Sequence, residues 1–205
     1  MGRIGTHYPV PPDARFVILE SSADPAWAVL AEGGRPVAAR RVVGAQAGRT
    51  LVAALEAAWR EAGWDGPRAA KPPDAAPPAG VLAGTGPGSW TGARVAGAAA
   101  RALAFAWGVP AAGFPSLDAV AAAALRRMER RDGKAPETLA VVRAARRGNV
   151  YLARYRVRPG TPPGPPERRG PDRVLPAPDA AAEIPEGALL SLLIAFLPLA
   201  ALAEP

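Results

Sequence analysis

Gly84-Thr85-Gly86-Pro87-Gly88-Ser89-Trp90-Thr91-Gly92-Ala93-Arg94 lies between a short apolar run at Val81 and Leu82 and an alanine-dominated stretch from Arg94 to Trp107. The order reads as strand, glycine loop, helix. Glycines at 84, 86, 88 and 92 permit close backbone approaches, and Ser89 or Thr91 can cap the helix that follows. Backbone N–H groups at a helix N-terminus carry partial positive charge, so the loop could cradle phosphate. It is no Walker loop, because the lysine and the following hydroxyl residue are missing, and its spacing also fails the dinucleotide fingerprint. A purely structural turn stands beside the ligand reading.

Working outward, Phe16 to Leu19 reads as a buried strand ending at Glu20, Ser21 and Ser22, and Trp27 to Ala31 as a second. Gly33 and Gly34 supply a tight hairpin turn into a third strand, Pro36 to Val43. Leu51, Leu55, Ala58 and Ala62 recur at three- and four-residue steps, which predicts a helix from Thr50 to Ala62 stopped by Gly63. Asp65 to Pro78 reads as a surface connector. After the glycine loop and its helix, which Gly108 and Pro110 end, come a strand at Ala111 to Phe114 and a helix opened by Pro115 and Ser116 that runs toward Arg131. Leu139 to Val142 and Val150 to Val157 read as two further strands, as though a second lobe began in the way the first did. Pro159 to Pro178 holds eight prolines and reads as an extended, mobile segment. The alternation predicts an α/β fold, a mixed sheet covered by helices with right-handed crossovers. The expected units are an N-terminal tail at 1–15, a first lobe at 16–135, the start of a second at 136–158, a Pro-rich linker at 159–187 and an apolar C-terminal segment at 188–205.

Composition narrows the chemistry. The 205 residues are 49% hydrophobic, enough to bury a core, and contain no cysteine, which excludes disulfides, thiolate zinc sites and thiol nucleophiles. His7, the single histidine, lies in a polar tail and has no second histidine to share a metal with. The net charge of +7 is concentrated between Arg143 and Arg173, where nine arginines face only Glu167 and Asp172. Met1 to Pro12 lacks the apolar run of a secretory signal, so a cytoplasmic protein is expected. Met1, Gly2 and Thr6 fit the loose myristoylation pattern, for which chance is the better explanation. Ala188 to Ala203 is apolar but short of the roughly 20 residues a membrane span needs, and is expected to be a packed or frayed helix.

Three strings, taken together and in order, resemble the TsaB (YeaZ) family of bacterial tRNA threonylcarbamoyladenosine synthesis. They are Glu20-Ser21-Ser22, Gly86-Pro87-Gly88-Ser89-Trp90-Thr91-Gly92-Ala93-Arg94, and Ala144-Ala145-Arg146-Arg147 with Val150-Tyr151. Pro110 and the Pro115-Ser116-Leu117 helix start are also similar to the family's corresponding positions. The likeness spans about Phe16 to Val157. It implies an actin-like, ribonuclease-H-like (ASKHA) fold of two lobes, with helices on both faces of the sheet and a second lobe that is short or diverged. It further implies a non-catalytic subunit that supports the catalytic paralogue TsaD together with the ATPase TsaE, or that pairs with a second copy, and that meets tRNA indirectly through the complex. Glu20 stands where the family has aspartate, and Ala144 and Asn149 stand where acidic residues are common. Autonomous ATP chemistry is therefore not expected, and ATP or ADP would bind only jointly with partners.

The site residues expected on this reading are the motif loop Gly84, Gly86, Gly88, Ser89, Thr91, Gly92 and Arg94, with no catalytic and no metal-binding residue. The expected partner interface uses Leu51, Leu55, Val95, Ala99 and Leu103 on the two first-lobe helices, although the same residues could simply face the sheet. Two other readings stay open. One is an ATPase or phosphotransferase of the same superfold using the Gly84 to Gly92 loop. The other is an RNA-binding module built on Arg143, Arg146, Arg147, Arg154, Arg156 and Arg158.

Overall fold

A computed structural model describes residues 11, 13–44, 47–64, 77–132, 136–158, 166–184 and 189–193. Strand β1 (Arg15–Glu20) is central in a five-stranded sheet of order β3-β2-β1-β4-β5, with β2 at Ala26–Glu32, β3 at Arg35–Val42, β4 at Gly80–Gly84 and β5 at Ala111–Phe114. β1, β2 and β3 run antiparallel in sequence, while β4 joins β1 and β5 joins β4 in parallel. Parallel neighbours require crossovers, and helices α1 (Ala47–Glu61) and α2 (Trp90–Trp107) supply them.

Strand alternation decides what each helix covers. Val17, Leu19, Ala26, Ala28, Leu30, Val81 and Ala83 form one core with Leu51, Leu55 and Ala58 of α1 and Ala96, Ala100 and Ala104 of α2. The small α2 residues let that helix lie close against the sheet. Trp59 closes the far end, with its ring centroid 5.3 Å from those of both Trp64 and Trp107. Ser89 caps α2, its Oγ accepting the Gly92 N–H, and Gly108 ends the helix at a φ of 65°, a left-handed angle that glycine tolerates.

The second sheet has the order β10-β6-β7-β8, with β9 also paired to β7. Its strands are β6 (Thr138–Ala144), β7 (Asn149–Arg156), β8 (Glu167–Arg168), β9 (Arg173–Pro176) and β10 (Leu189–Leu193). Helix α4 (Ala177–Ala182) connects β9 to β10, and β10 lies parallel to β6. The first lobe's opening order therefore recurs: two antiparallel strands, a third strand here split in two, a helix, and a parallel return beside the first.

Three expectations change. The Pro-rich stretch is not extended throughout, because from 167 onward its backbone pairs with β7 as β8 and β9 and then turns into α4. Within the apolar C-terminal segment, residues 189–193 form a strand rather than a helix, since the exposed ladder edge of β6 offers backbone partners over five residues. Helix α3 (Ser116–Asp132), placed by sequence in the first lobe, packs Leu117, Ala121, Ala124 and Leu125 onto Leu139, Val141, Ala153 and Tyr155 of the second sheet. Ala180 of α4 covers the opposite face with Ala140, Val142, Leu152 and Leu175. The N-terminal tail to residue 10 and the linker residues 159–165 and 185–188 lie outside the described residues.

Candidate functional site

The C-terminal ends of β1, β4, β5 and β6 converge between the two sheets, the position at which open α/β sheets usually place their ligands. Here the convergence is filled by the chain itself. Glu20, which ends β1, and Ser21 and Ser22, which follow it, are all buried, as are Ser116 at the start of α3 and Arg143 on β6. The Glu20 carboxylate accepts from the Ser22 N–H at 2.6 Å through Oε1 and from the Ser116 hydroxyl through Oε2. Ser116 Oγ in turn accepts the Gly86 N–H at 3.1 Å and sits 3.2 Å from Ser22 Oγ. The backbone N–H of Ser116 donates to the Gly86 carbonyl at 2.7 Å.

The glycine loop closes onto the same segment. Ser89 N–H donates to the Ser22 carbonyl at 2.7 Å, and Ser21 Oγ donates to the Gly92 carbonyl at 2.6 Å. A Cβ at Gly84 would overlap the Glu20 carboxylate, one at Gly88 the Ser22 carbonyl and the Arg143 guanidinium, and one at Gly92 the Ser21 carbonyl. Gly86 has a φ of 91°, which a residue with a side chain rarely adopts. The loop's glycines are thus explained by the close passage of residues 20–22. The Gly86 and Ser89 N–H groups are spent inside the protein, and the Gly92 N–H caps on Ser89.

Arg143 joins the lobes. It extends from β6 of the second sheet and donates Nη2–H to the Ser22 carbonyl at 2.6 Å. Burial lowers its pKa, and the negative charge of Glu20 opposes that shift. The Glu20 carboxylate is thus engaged by two donors, and the Gly86, Ser89 and Gly92 N–H groups are committed within the protein, so none of these groups as placed is free for a hydrated metal or a nucleotide phosphate. Among the described residues no group of three His, Asp or Glu side chains is placed to hold a metal ion.

The expected site residues separate. Gly84, Gly86, Gly88, Ser89 and Gly92 meet at the cleft, whereas Thr91 and Arg94 are exposed on the outer face of α2, with the Arg94 guanidinium 6.0 Å from the Trp90 ring centroid. Of the interface residues, Leu51 and Leu55 are buried in the core against the sheet, because their four-residue spacing puts both on the inward face of α1, and they leave no surface there for a partner. Val95, Ala99 and Leu103 are half-buried flanks of that core. What α2 shows outward is Trp90, Ala98, Ala102 and Phe105, and α1 adds Val52. Phe105 is 91% exposed, an unusual state for so large an apolar side chain.

Sequence reasoning missed Ser116 and Arg143. Ser116 read only as a helix start, and Arg143 as one of a basic series, although a lone charge directly after Leu139 to Val142 marks a buried position needing a partner. The six arginines of the RNA-binding reading do not form one patch. Arg143 is buried, Arg146 and Arg147 sit in the β6–β7 turn, and Arg158 pairs with Glu167 at 3.5 Å. A second polar network holds α3 to the sheet: the Tyr155 hydroxyl donates to Asp118 at 2.8 Å, and Arg168 binds both Asp118 and Asp172.

A family model described as TsaD, tRNA N6-adenosine threonylcarbamoyltransferase, matches residues 76–162. Among solved structures, YeaZ from Pseudomonas aeruginosa superposes with a TM-score of 0.58 at 25% identity, over 80% of this chain and 67% of that one. A second structure, of an uncharacterized protein with similarity to peptidase YeaZ from Pseudomonas aeruginosa, gives 0.59 at 24% identity over the same shares. Comparison with curated proteins finds no match. The resemblance to the TsaB (YeaZ) family read from the sequence is borne out, as is the actin-like mixed α/β fold. No helix among the described residues is long and apolar enough to cross a membrane.

Proposed function

We propose that this chain is a non-catalytic scaffold of a cytoplasmic tRNA threonylcarbamoyladenosine-modifying complex, acting as the dimerisation subunit for a TsaD-like catalytic protein with a TsaE-like ATPase. The likeness to YeaZ supports the family, and the self-filled cleft supports the absence of independent chemistry. The observation that carries the reading is the closure of the glycine loop on Glu20-Ser21-Ser22, which leaves the motif a structural task.

The role then rests on a surface, and the outward strip of α1 and α2 is the best candidate. Trp90, Ala98, Ala102, Phe105 and Val52 offer two aromatic anchors around small residues, with Val95, Ala99 and Leu103 at the margin. A helix pair on a partner, TsaD-like or a second copy, fits such a strip by close approach at the alanines. ATP or ADP would bind only at a site completed by partners.

Co-purification with the cognate TsaD-like protein at micromolar concentration and moderate salt tests the proposal, and failure to form a complex counts against it. The competing reading, an autonomous ATPase or phosphotransferase, requires the isolated chain to bind Mg-ATP in isothermal titration; heat of binding without a partner would favour that reading.

A further inference from the structure

We propose that the face of the second sheet bearing Arg154, Arg156 and Arg169 binds the phosphate backbone of RNA directly. The register sets these residues side by side. Arg156 lies opposite Glu167 and Tyr155 opposite Arg168, and the Arg169 N–H donates to the Arg154 carbonyl at 2.7 Å, so Arg169 stands across from Arg154. Alternation puts Arg154 and Arg156 on the face of Leu152, two residues apart and about 7 Å from each other along the strand.

Like charges directly opposite one another destabilise a sheet unless a counter-charge joins them. Three carboxylates of this region are already engaged: Glu167 with Arg158, Asp172 with Arg168, and Glu183 with Arg173. Among the described residues Arg154, Arg156 and Arg169 have no side-chain partner, and α4 covers only the Leu152, Leu175 end of this face. Three guanidinium groups in surplus on a face that, among the described residues, α4 covers only in part fit an anionic chain, since each can bind a phosphate through paired N–H donors. Among the described residues no aromatic side chain accompanies them on this face to stack a base, so the contact reads charge and is indifferent to sequence. The choice of tRNA as the RNA to test rests on the proposed function; the surface itself does not.

Fluorescence anisotropy of the full chain with a labelled tRNA transcript, titrated between 50 and 200 mM salt, tests it. Wild-type affinity is expected to fall steeply with salt. The triple variant R154Q/R156Q/R169Q is expected to lose about a hundredfold at the lowest salt and to flatten the log–log slope by about two. The control R126Q/R127Q, on α3 and the opposite face of the sheet, should change binding less than twofold. Absence of tRNA binding by the wild type, or equal binding by the triple variant, overturns the proposal. So does a triple variant that keeps tRNA affinity but no longer co-purifies with the TsaD-like protein, because the face is then a protein contact. If the two proteins never associate yet the arginine-dependent slope is seen, the scaffold reading fails and this one stands.

Discussion

Gly92 and Gly97 both lie in α2, and only one of them is there for its size. A Cβ at Gly92 would run into the Ser21 carbonyl, whereas one at Gly97 would meet nothing within 4 Å. Gly92→Ala should therefore cost about 2–3 kcal/mol by forcing the β1 extension away from the helix, and Gly97→Ala should stabilise by about 0.5–1 kcal/mol by removing unfolded-state entropy. Urea denaturation of the two variants checks the pair, and equal midpoints would refute the packing account. Tyr155 gives a second residue-level prediction. Its hydroxyl is buried and donates to Asp118, and burial first, then that bond, raises its pKa above the usual tyrosine value. Below about pH 10 the phenol is neutral in both states and its contribution is complete. Above that the unfolded chain ionises while the native one resists, so stability falls as pH rises, by at most about 1.4 kcal/mol per unit. The difference in unfolding free energy between wild type and Tyr155→Phe, measured from pH 9 to pH 11, should shrink with pH; a constant difference would remove Tyr155 as the cause.

At the scale of elements, α2 has two faces with different tasks. Phe105→Asp changes only the exposed side and should weaken partner binding at least tenfold, about 1.4 kcal/mol, with an unchanged melting temperature. Leu55→Asp on α1 buries a charge in the core and should unfold the protein. Analytical co-elution together with thermal melts separates the two outcomes, and full partner binding by Phe105→Asp would take α2 out of the interface. Half-buried Leu103 serves both sides and discriminates poorly. The same doubleness explains what sequence could convey. Period and glycine stops placed β1 to β5 and α1 to α3, because amphipathic spacing is a local property. Leu51 and Leu55 were equally legible as apolar, but which neighbour covers an apolar stripe is decided by tertiary packing. The strands β8, β9 and β10 were illegible for a related reason: prolines and short runs carry little strand propensity, and the backbone bonds offered by β7 and β6 outweigh it.

For the molecule as a whole, the question is what makes two sheets behave as one body. Arg143 is the side chain on β6 that reaches the end of β1, and it places a positive charge beside buried Glu20. Replacing it by methionine keeps most of the volume but leaves the carboxylate with its two donors and no compensating charge. Arg143→Met should thus cost about 1–3 kcal/mol, part of which Glu20→Gln in the same chain should restore, since the amide needs no counter-ion. The loss should also be uneven. Trp27, Trp59, Trp64, Trp90 and Trp107 all belong to the first lobe, so tryptophan fluorescence reports that lobe alone, while far-ultraviolet circular dichroism reports both. In the wild type the two probes should trace one urea transition. In Arg143→Met the dichroism should begin to fall at lower urea than the fluorescence, as the second sheet, cut from its tether at Ser22, opens first. Superimposable curves with an unshifted midpoint would mean that the bonds of Ser116 to Glu20, Ser22 and Gly86 suffice to join the lobes, and that the arginine fills the cleft without coupling its walls.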